Sequence, residues 1–177
     1  MLPHRATHQN MIEAVTVRRL DSEDLQPWKE IRRSALETTP TAFGRTLTSF
    51  LAQSDSDHRQ KLSGSVVFGA FIQGNIVGSA GWYPVDYQTE SHRGKVNSVF
   101  VRPAYRRQGI AAKLMQYIIA DAKRFVLQLE LSVTVGQDRA IGFYRRQGFD
   151  IVGTIPRALC HDGVFSDEHL MVRNLDA

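Results

Sequence analysis

The chain has 177 residues, enough for one ordinary domain and too few for two full ones. Apolar residues make up 42% of it, which excludes a disordered chain, and a single cysteine, Cys160, excludes an internal disulfide or a multi-cysteine metal site. Lys and Arg outnumber Asp and Glu by 22 to 18, a net +4 that points to an anionic partner: nucleic acid, membrane or a phosphorylated small molecule.

Residues 1–11 carry His4, Arg5 and His8 but no continuous apolar stretch, so no secretory signal is read there and a loose extension is expected. No window approaches the roughly 20 apolar residues of a membrane helix. The expectation is a cytoplasmic protein with a single domain over residues 12–177.

Val15 and Val17 alternate with Ala14, Thr16 and Arg18, which predicts a short half-buried strand. Leu25, Trp28, Ile31, Ala35 and Leu36 then recur at helical spacing; Pro27 is tolerated only in a first turn, which makes Asp24 the expected cap. Thr38-Thr39-Pro40-Thr41 ends this helix, and a weaker one is expected through Phe50, Leu51 and Leu62. Val66 to Ile72 and Ile76 to Tyr83 read as strands joined by the hairpin turn Gln73-Gly74-Asn75. A further strand, Lys95 to Val101, ends at Arg102-Pro103.

After a basic turn, Ile110, Leu114, Tyr117, Ile118, Ala122 and Phe125 form the apolar stripe of a strong helix. Leu127, Leu129, Leu131, Val133 and Val135 alternate with polar residues as a strand. A short helix follows, with Asp138 as a cap, Ile141 and Tyr144 on one face and Gly148 as its stop. Phe149 to Leu175 reads as two strands around His161-Asp162-Gly163. The order β-α-α-β-β-β-α-β-α-β-β is α/β (α+β) with a mixed sheet, because hairpins supply antiparallel pairs and helical crossovers allow parallel ones.

The most informative segment is Val99 to Ala111. A strand ends, a basic turn follows, and a helix begins where Gly109 and Ala111 let the backbone approach a ligand closely. A helix start presents unpaired N–H groups and a positive dipole end, which is an anion site by construction. The turn is neither a Walker loop nor a dinucleotide-binding turn. Arg106-Arg107-Gln108-Gly109-Ile110-Ala111 resembles the signature Gln/Arg-x-x-Gly-x-Gly/Ala of the GNAT acyltransferase superfamily, and Ala140-x-x-x-Tyr144-x-x-x-Gly148-Phe149 resembles its second cofactor motif. The residue-level likeness is concentrated between Val96 and Phe149.

The resemblance implies a twisted mixed sheet of about six or seven strands flanked by about four helices, with a V-shaped cofactor cleft. It implies binding of acetyl-CoA and direct transfer of its acetyl group to a primary amine: a small molecule, an amino acid or a protein N-terminus. It carries the backbone of Val99, Phe100 and Val101 onto the pantetheine arm. The amides of Arg106, Arg107, Gln108, Gly109, Ile110, Ala111 and Ala112 go onto the pyrophosphate. Tyr144 stands where the family places its general acid, and as a bare amphipathic-helix residue it would simply pack on the sheet. Homodimers are common in the family, and no patch in the sequence demands one.

Two departures matter. Gln137 stands where Asn is usual, with an amide able to make similar bonds. The carboxylates that some members carry fall here at Lys95 and Ser132, which puts a direct carboxylate base in doubt. Glu90, His92, Glu130, or a water held by Asn97 or Ser98, are replacement candidates, though each single residue reads more readily as a solvated surface group. An α-amine with a pKa near about 8 supplies neutral nucleophile unaided. Cys160 lacks any His-Asp relay and reads as a small hydrophobe, and the six scattered histidines show no metal spacing, so no metal is expected.

At the acceptor end the resemblance points to the Thr38 to Gly44 loop, Trp82-Tyr83-Pro84, Arg157 and the His161-Asp162-Gly163 hairpin. Phe43, Trp82 and Tyr83 read as an apolar wall or as ordinary core. Arg157 reads as a carboxylate anchor or a surface residue. Two further readings are a CoA-binding module without transfer chemistry and a nucleic-acid binder; the second lacks any recognisable motif. The charge distribution favours the phosphorylated cofactor. Arg93 to Arg146 holds eleven basic residues against three acids, a net +8, and the remainder is a net −4.

Overall fold

The computed structural model describes residues 15–176; the extension expected over residues 1–11 lies outside them. Among the described residues, seven strands form one sheet in the order β1-β2-β3-β4-β5-β7-β6. They are β1 (Thr16–Arg19), β2 (Val66–Ile72), β3 (Asn75–Pro84), β4 (Arg93–Val101), β5 (Gln128–Thr134), β6 (Asp150–His161) and β7 (Val164–Asn174). Every pairing is antiparallel except β4 with β5, which is parallel. The hairpin turns fall where expected, at Gln73-Gly74 and Asp162-Gly163, with all four residues at positive φ.

The helices are α1 (Leu25–Thr38), α2 (Leu47–Leu51), α3 (Asp55–Ser63), α4 (Ile110–Ala122) and α5 (Asp138–Arg146). The weak helix expected through Phe50 and Leu62 is two helices. Ser54 caps the second in a reciprocal box with Asp57, a start signal inside the expected span that breaks it. Asp24 occupies the N-cap position of α1 without capping it. Its carboxylate instead accepts two bonds of 2.7 Å from Arg18 and one of 3.0 Å from the amide of Asp21. Asp138 is the first residue of α5, and Gln137 precedes it without a side-chain cap bond.

The sheet is sandwiched. On one face, Leu25, Trp28, Ile31, Ala35 and Leu36 of α1 pack with Phe50 and Leu62 over Val67, Phe71, Ile76 and Phe100. On the other, Ile110, Leu114, Met115 and Ile118 of α4 pack with Phe68, Ala70, Trp82, Val96, Leu129 and Leu131. Trp82 belongs to this second core, with 2% exposure and its indole N–H donating to Asp121 at 2.9 Å, and so is not part of an acceptor wall. Cys160, read from the sequence as a small hydrophobe, is exposed on β6.

The parallel seam is short: Arg93 pairs with Gln128, Gly94 with Leu129 and Lys95 with Glu130, and beyond these no β4 residue pairs with β5. β4 continues along β3 and β5 along β7. Gly94 is required at the seam, because a Cβ there would stand 3.0 Å from the Trp82 ring and 3.1 Å from Leu129 Cδ2. Both neighbours are fully packed. Gly94→Val is expected to destabilise the fold by about 1–3 kcal/mol, the range for overpacking a filled site, read as a lower urea midpoint with unchanged slope.

Candidate active site

Where β4 and β5 part, a cleft of about 1270 Å³ opens, lined by both strands, the start of α4, the inner face of α5 and the loop after α1. One wall carries a distortion that the sequence did not signal. Ser98 adopts φ +56, and the register to β3 jumps so that Ser79 opposes Phe100 while Gly81 opposes Asn97. This is a β-bulge, which frees backbone groups from the ladder and re-aims the strand. Val99 lines the cleft, whereas the Phe100 and Val101 side chains are buried in opposite cores, leaving main chain as the means by which those two meet the cleft.

The basic turn continues from β4. Arg106 Nε donates to the Val101 carbonyl at 2.9 Å, which straps the turn to the strand end, and the Arg106 amide donates to Pro103 at 3.3 Å. Arg107 and Gly109 both have left-handed backbones, φ +63 and +78. The first α-helical bond of α4 runs from Lys113 N to Gly109 O, so the amides of Gly109, Ile110, Ala111 and Ala112 lie in the unpaired first turn, and no side chain caps them. These four residues, Arg106 and Arg107 line the cleft. Gln108 stands apart from the lining, its Nε2 turned back toward the Ala104 carbonyl at 3.4 Å.

Across the cleft, Gln137 and Tyr144 belong to α5 and its approach. The Tyr144 ring sits edge-on to Phe143 and Phe149, with centroids 5.2 and 6.1 Å away. Burial pushes its hydroxyl up to about 12, so it is a proton-bearing donor throughout the physiological range.

At the apex Glu130 is 3% exposed and held between two cations, Arg93 at 2.5 Å and Lys95 at 3.4 Å. Arg93 also reaches Glu90 at 3.0 Å, and its pKa is raised chiefly by the hydrogen bond to Glu130. Glu130, Lys95, Asn97, Ser98 and Ser132 line the cleft, as do Phe43 and Tyr83; Glu90, His92, Arg157 and His161 do not. Arg157 lies over the Phe165 ring at 5.2 Å on the last hairpin. Five lining cations, Arg32, Arg45, Arg93, Arg139 and Arg146, were not among the sequence candidates. Only Arg32 had a readable signal: it interrupts the apolar stripe of α1 between Trp28 and Ala35.

A parallel pair that opens beside an uncapped helix start is the frame expected of an acyl-CoA-dependent N-acyltransferase. The Acetyltransferase (GNAT) family model matches residues 28–149, and the chain belongs to that family. It is 30% identical over 125 residues to the L-methionine sulfoximine/L-methionine sulfone acetyltransferase of Pseudomonas aeruginosa, covering 68% of this chain and 70% of that protein. Among solved structures, a ribosomal-protein-alanine N-acetyltransferase from Brucella melitensis superposes with TM-score 0.79 at 26% identity, over 90% of this chain and 99% of that one. The yncA protein of Salmonella typhimurium, solved with its cofactor acetyl-CoA, superposes with TM-score 0.80 at 20% identity, over 92% and 95% of the two chains. Among the described residues no helix is long and apolar enough to cross a membrane, and no cluster of His, Cys, Asp and Glu could hold a metal ion.

The neutral phenol of Tyr144 is favoured in the folded state. Its contribution to stability is therefore complete below the ordinary tyrosine value of about 10 and is lost as pH rises through about 12. The phenolate absorbance difference between wild type and Tyr144→Phe is expected to emerge only near pH 12; emergence near the ordinary value would show a solvated hydroxyl.

Proposed function

We propose that this GNAT-family N-acetyltransferase takes acetyl-CoA as co-substrate in the cleft between β4 and β5 and transfers its acetyl group directly to a primary amine bound at the apex. The observation that carries the reading is the parting of the two strands beside an uncapped helix start. The amides from Arg107 to Ala112 suit the pyrophosphate oxygens, with Gln108 contributing main chain only. Helix-start donors hydrogen-bond anions and add the dipole's field. Main chain at Val99 to Val101 suits the amides of the pantetheine arm, which would lie along β4 like an added strand. Gln137 would supply an amide contact in the position where Asn is usual.

In the reaction the amine lone pair attacks the thioester carbonyl, the tetrahedral adduct collapses with cleavage of the C–S bond, and the sulfur takes up a proton. Tyr144 donates that proton or a hydrogen bond equivalent to it. A hydroxyl that does not ionise near neutrality is suited to protecting a departing thiolate. Glu130 is a poor candidate for the base, because Arg93 and Lys95 occupy both of its oxygens. The acceptor sheds its proton to water, directly or through a molecule held near Asn97 and Ser98. The relatives act on free amino acids or on protein N-termini, and either acceptor contains the required primary amine.

Following free thiol from acetyl-CoA over an amine panel tests the reading. Tyr144→Phe is expected to lower kcat about 100-fold, the lower end of general-acid effects, with CoA affinity unchanged. Calorimetric CoA binding without thiol release for any amine would leave a binding module instead of an enzyme.

A further inference from the structure

Arg32 lies on the buried face of α1. It is 8% exposed, its guanidinium stands 5.2 Å over the Phe43 ring, and it lines the cleft. Its Nη1 is buried with no hydrogen-bond partner among the described residues. Arg45, from the loop after α1, lines the same end of the cleft and donates to the Gln53 Oε1; Lys61 of α3 donates to that same oxygen at 2.5 Å. None of the three cations forms an ion pair with a carboxylate among the described residues. One neutral amide oxygen thus stands between two of them, and the third has a π-face and nothing charged.

An unpaired buried charge is strongly unfavourable, and proteins tolerate one where a ligand completes it. Burial, and secondarily the charge of Arg45, hold the Arg32 pKa down to about 10, so it is still fully cationic at neutral pH. Among the described residues, no acid pairs with it. The cofactor's phosphates are assigned to the other end of β4, at the start of α4, and leave this charge unanswered. The anion must therefore come with the acceptor.

We infer that Arg32 is the acceptor's carboxylate anchor, and that this end of the cleft takes a free α-amino acid whose carboxylate closes on the Arg32 guanidinium. The inference rests on the acetyl-transfer reading above. A guanidinium offers parallel N–H donors that match a carboxylate's two oxygens. A free amino acid brings that carboxylate one carbon from the amine to be acetylated. A polypeptide N-terminus has converted the same group into a neutral amide and would leave Arg32 uncompensated. Phe43, Tyr83, Ile155 and Leu170 line the cleft as well, which favours an apolar side chain on the acceptor.

The test uses a panel of apolar L-amino acids, their α-carboxamides, and peptides with neutral or acidic second residues, each with wild type and Arg32→Gln. Thiol release is expected with the amino acids and at least about 30-fold less efficiently with the carboxamides. Arg32→Gln is expected to raise KM for the amino acids by a similar factor, the loss typical of truncating one side of a buried charge pair, with kcat and CoA affinity nearly unchanged. A structural role makes the opposite stability prediction. The unliganded melting temperature of Arg32→Gln should not fall, and the corresponding N-acetyl amino acid should raise the melting temperature of wild type but not of the variant.

Equal rates with acids and carboxamides, unchanged KM in the variant, or preference for acidic peptides would overturn the anchor while leaving acetyl transfer standing. No transfer to any amine would overturn the transfer reading, and the ligand-dependent melting shift would still decide whether Arg32 holds a carboxylate.

Discussion

Parallel pairing between β4 and β5 stops after Lys95 and Glu130, and both strands carry on. Each can do so because its other edge is occupied: β3 holds β4 and the β6-β7 hairpin holds β5, so neither loses its place in the sheet when the two part. The edges left facing each other carry backbone donors and acceptors with no ladder partner, and such edges recruit an extended ligand. The helix that follows β4 inherits its position from the same geometry. The Arg106 strap to Val101 delivers the first turn of α4 to the mouth of the V, where unpaired amides face the same space as the open edges.

The apex of the V is closed electrostatically. Glu130 is the last residue of β5 that pairs with β4 and is buried, which would be unfavourable for a lone carboxylate; Arg93 and Lys95 on the facing strand neutralise it. Lys95 therefore has a structural role at its place on β4: with Arg93 it completes the ion cluster around the buried Glu130 carboxylate at the seam. The consequence is chemical. In the proposed reaction, with Glu130 occupied, proton removal from the acceptor is left to solvent, and Tyr144, whose hydroxyl burial keeps protonated, is left to serve the departing sulfur.

Legibility in the sequence followed the range of the interactions involved. Alternation, apolar runs bounded by turn residues, and helical spacing marked all seven strands and the long helices, because burial against one sheet imposes those patterns locally. The hairpin turns and the Gly109 turn were readable because positive φ selects residue types within a few positions. Caps were less legible: Asp24 has the right type and place, but Arg18 six residues away captures its carboxylate. The Ser98 bulge had no local marker, since it arises from register with β3. Trp82 was ambiguous for the same kind of reason; its indole N–H is answered by Asp121, 39 residues on in another element, which draws it into the core beneath α4.

Arg32 is the case in which local pattern and tertiary structure disagree most usefully. Its position on α1, four residues after Trp28 and three before Ala35, is one that an aliphatic side chain would fill, and the neighbouring stripe residues are fully packed. An aliphatic residue there would remove a desolvated charge and an orphaned Nη1 together, so stability alone selects against arginine. Alternatives that would relieve the charge within the protein are absent among the described residues: the carboxylates of the cleft apex are already matched, and Gln53 is shared by Arg45 and Lys61. A guanidinium kept in such a place is pre-organised for an anion arriving from the cleft. Because most of its hydration is already lost in the unliganded fold, pairing with a carboxylate recovers electrostatic energy at little further dehydration cost on the protein side.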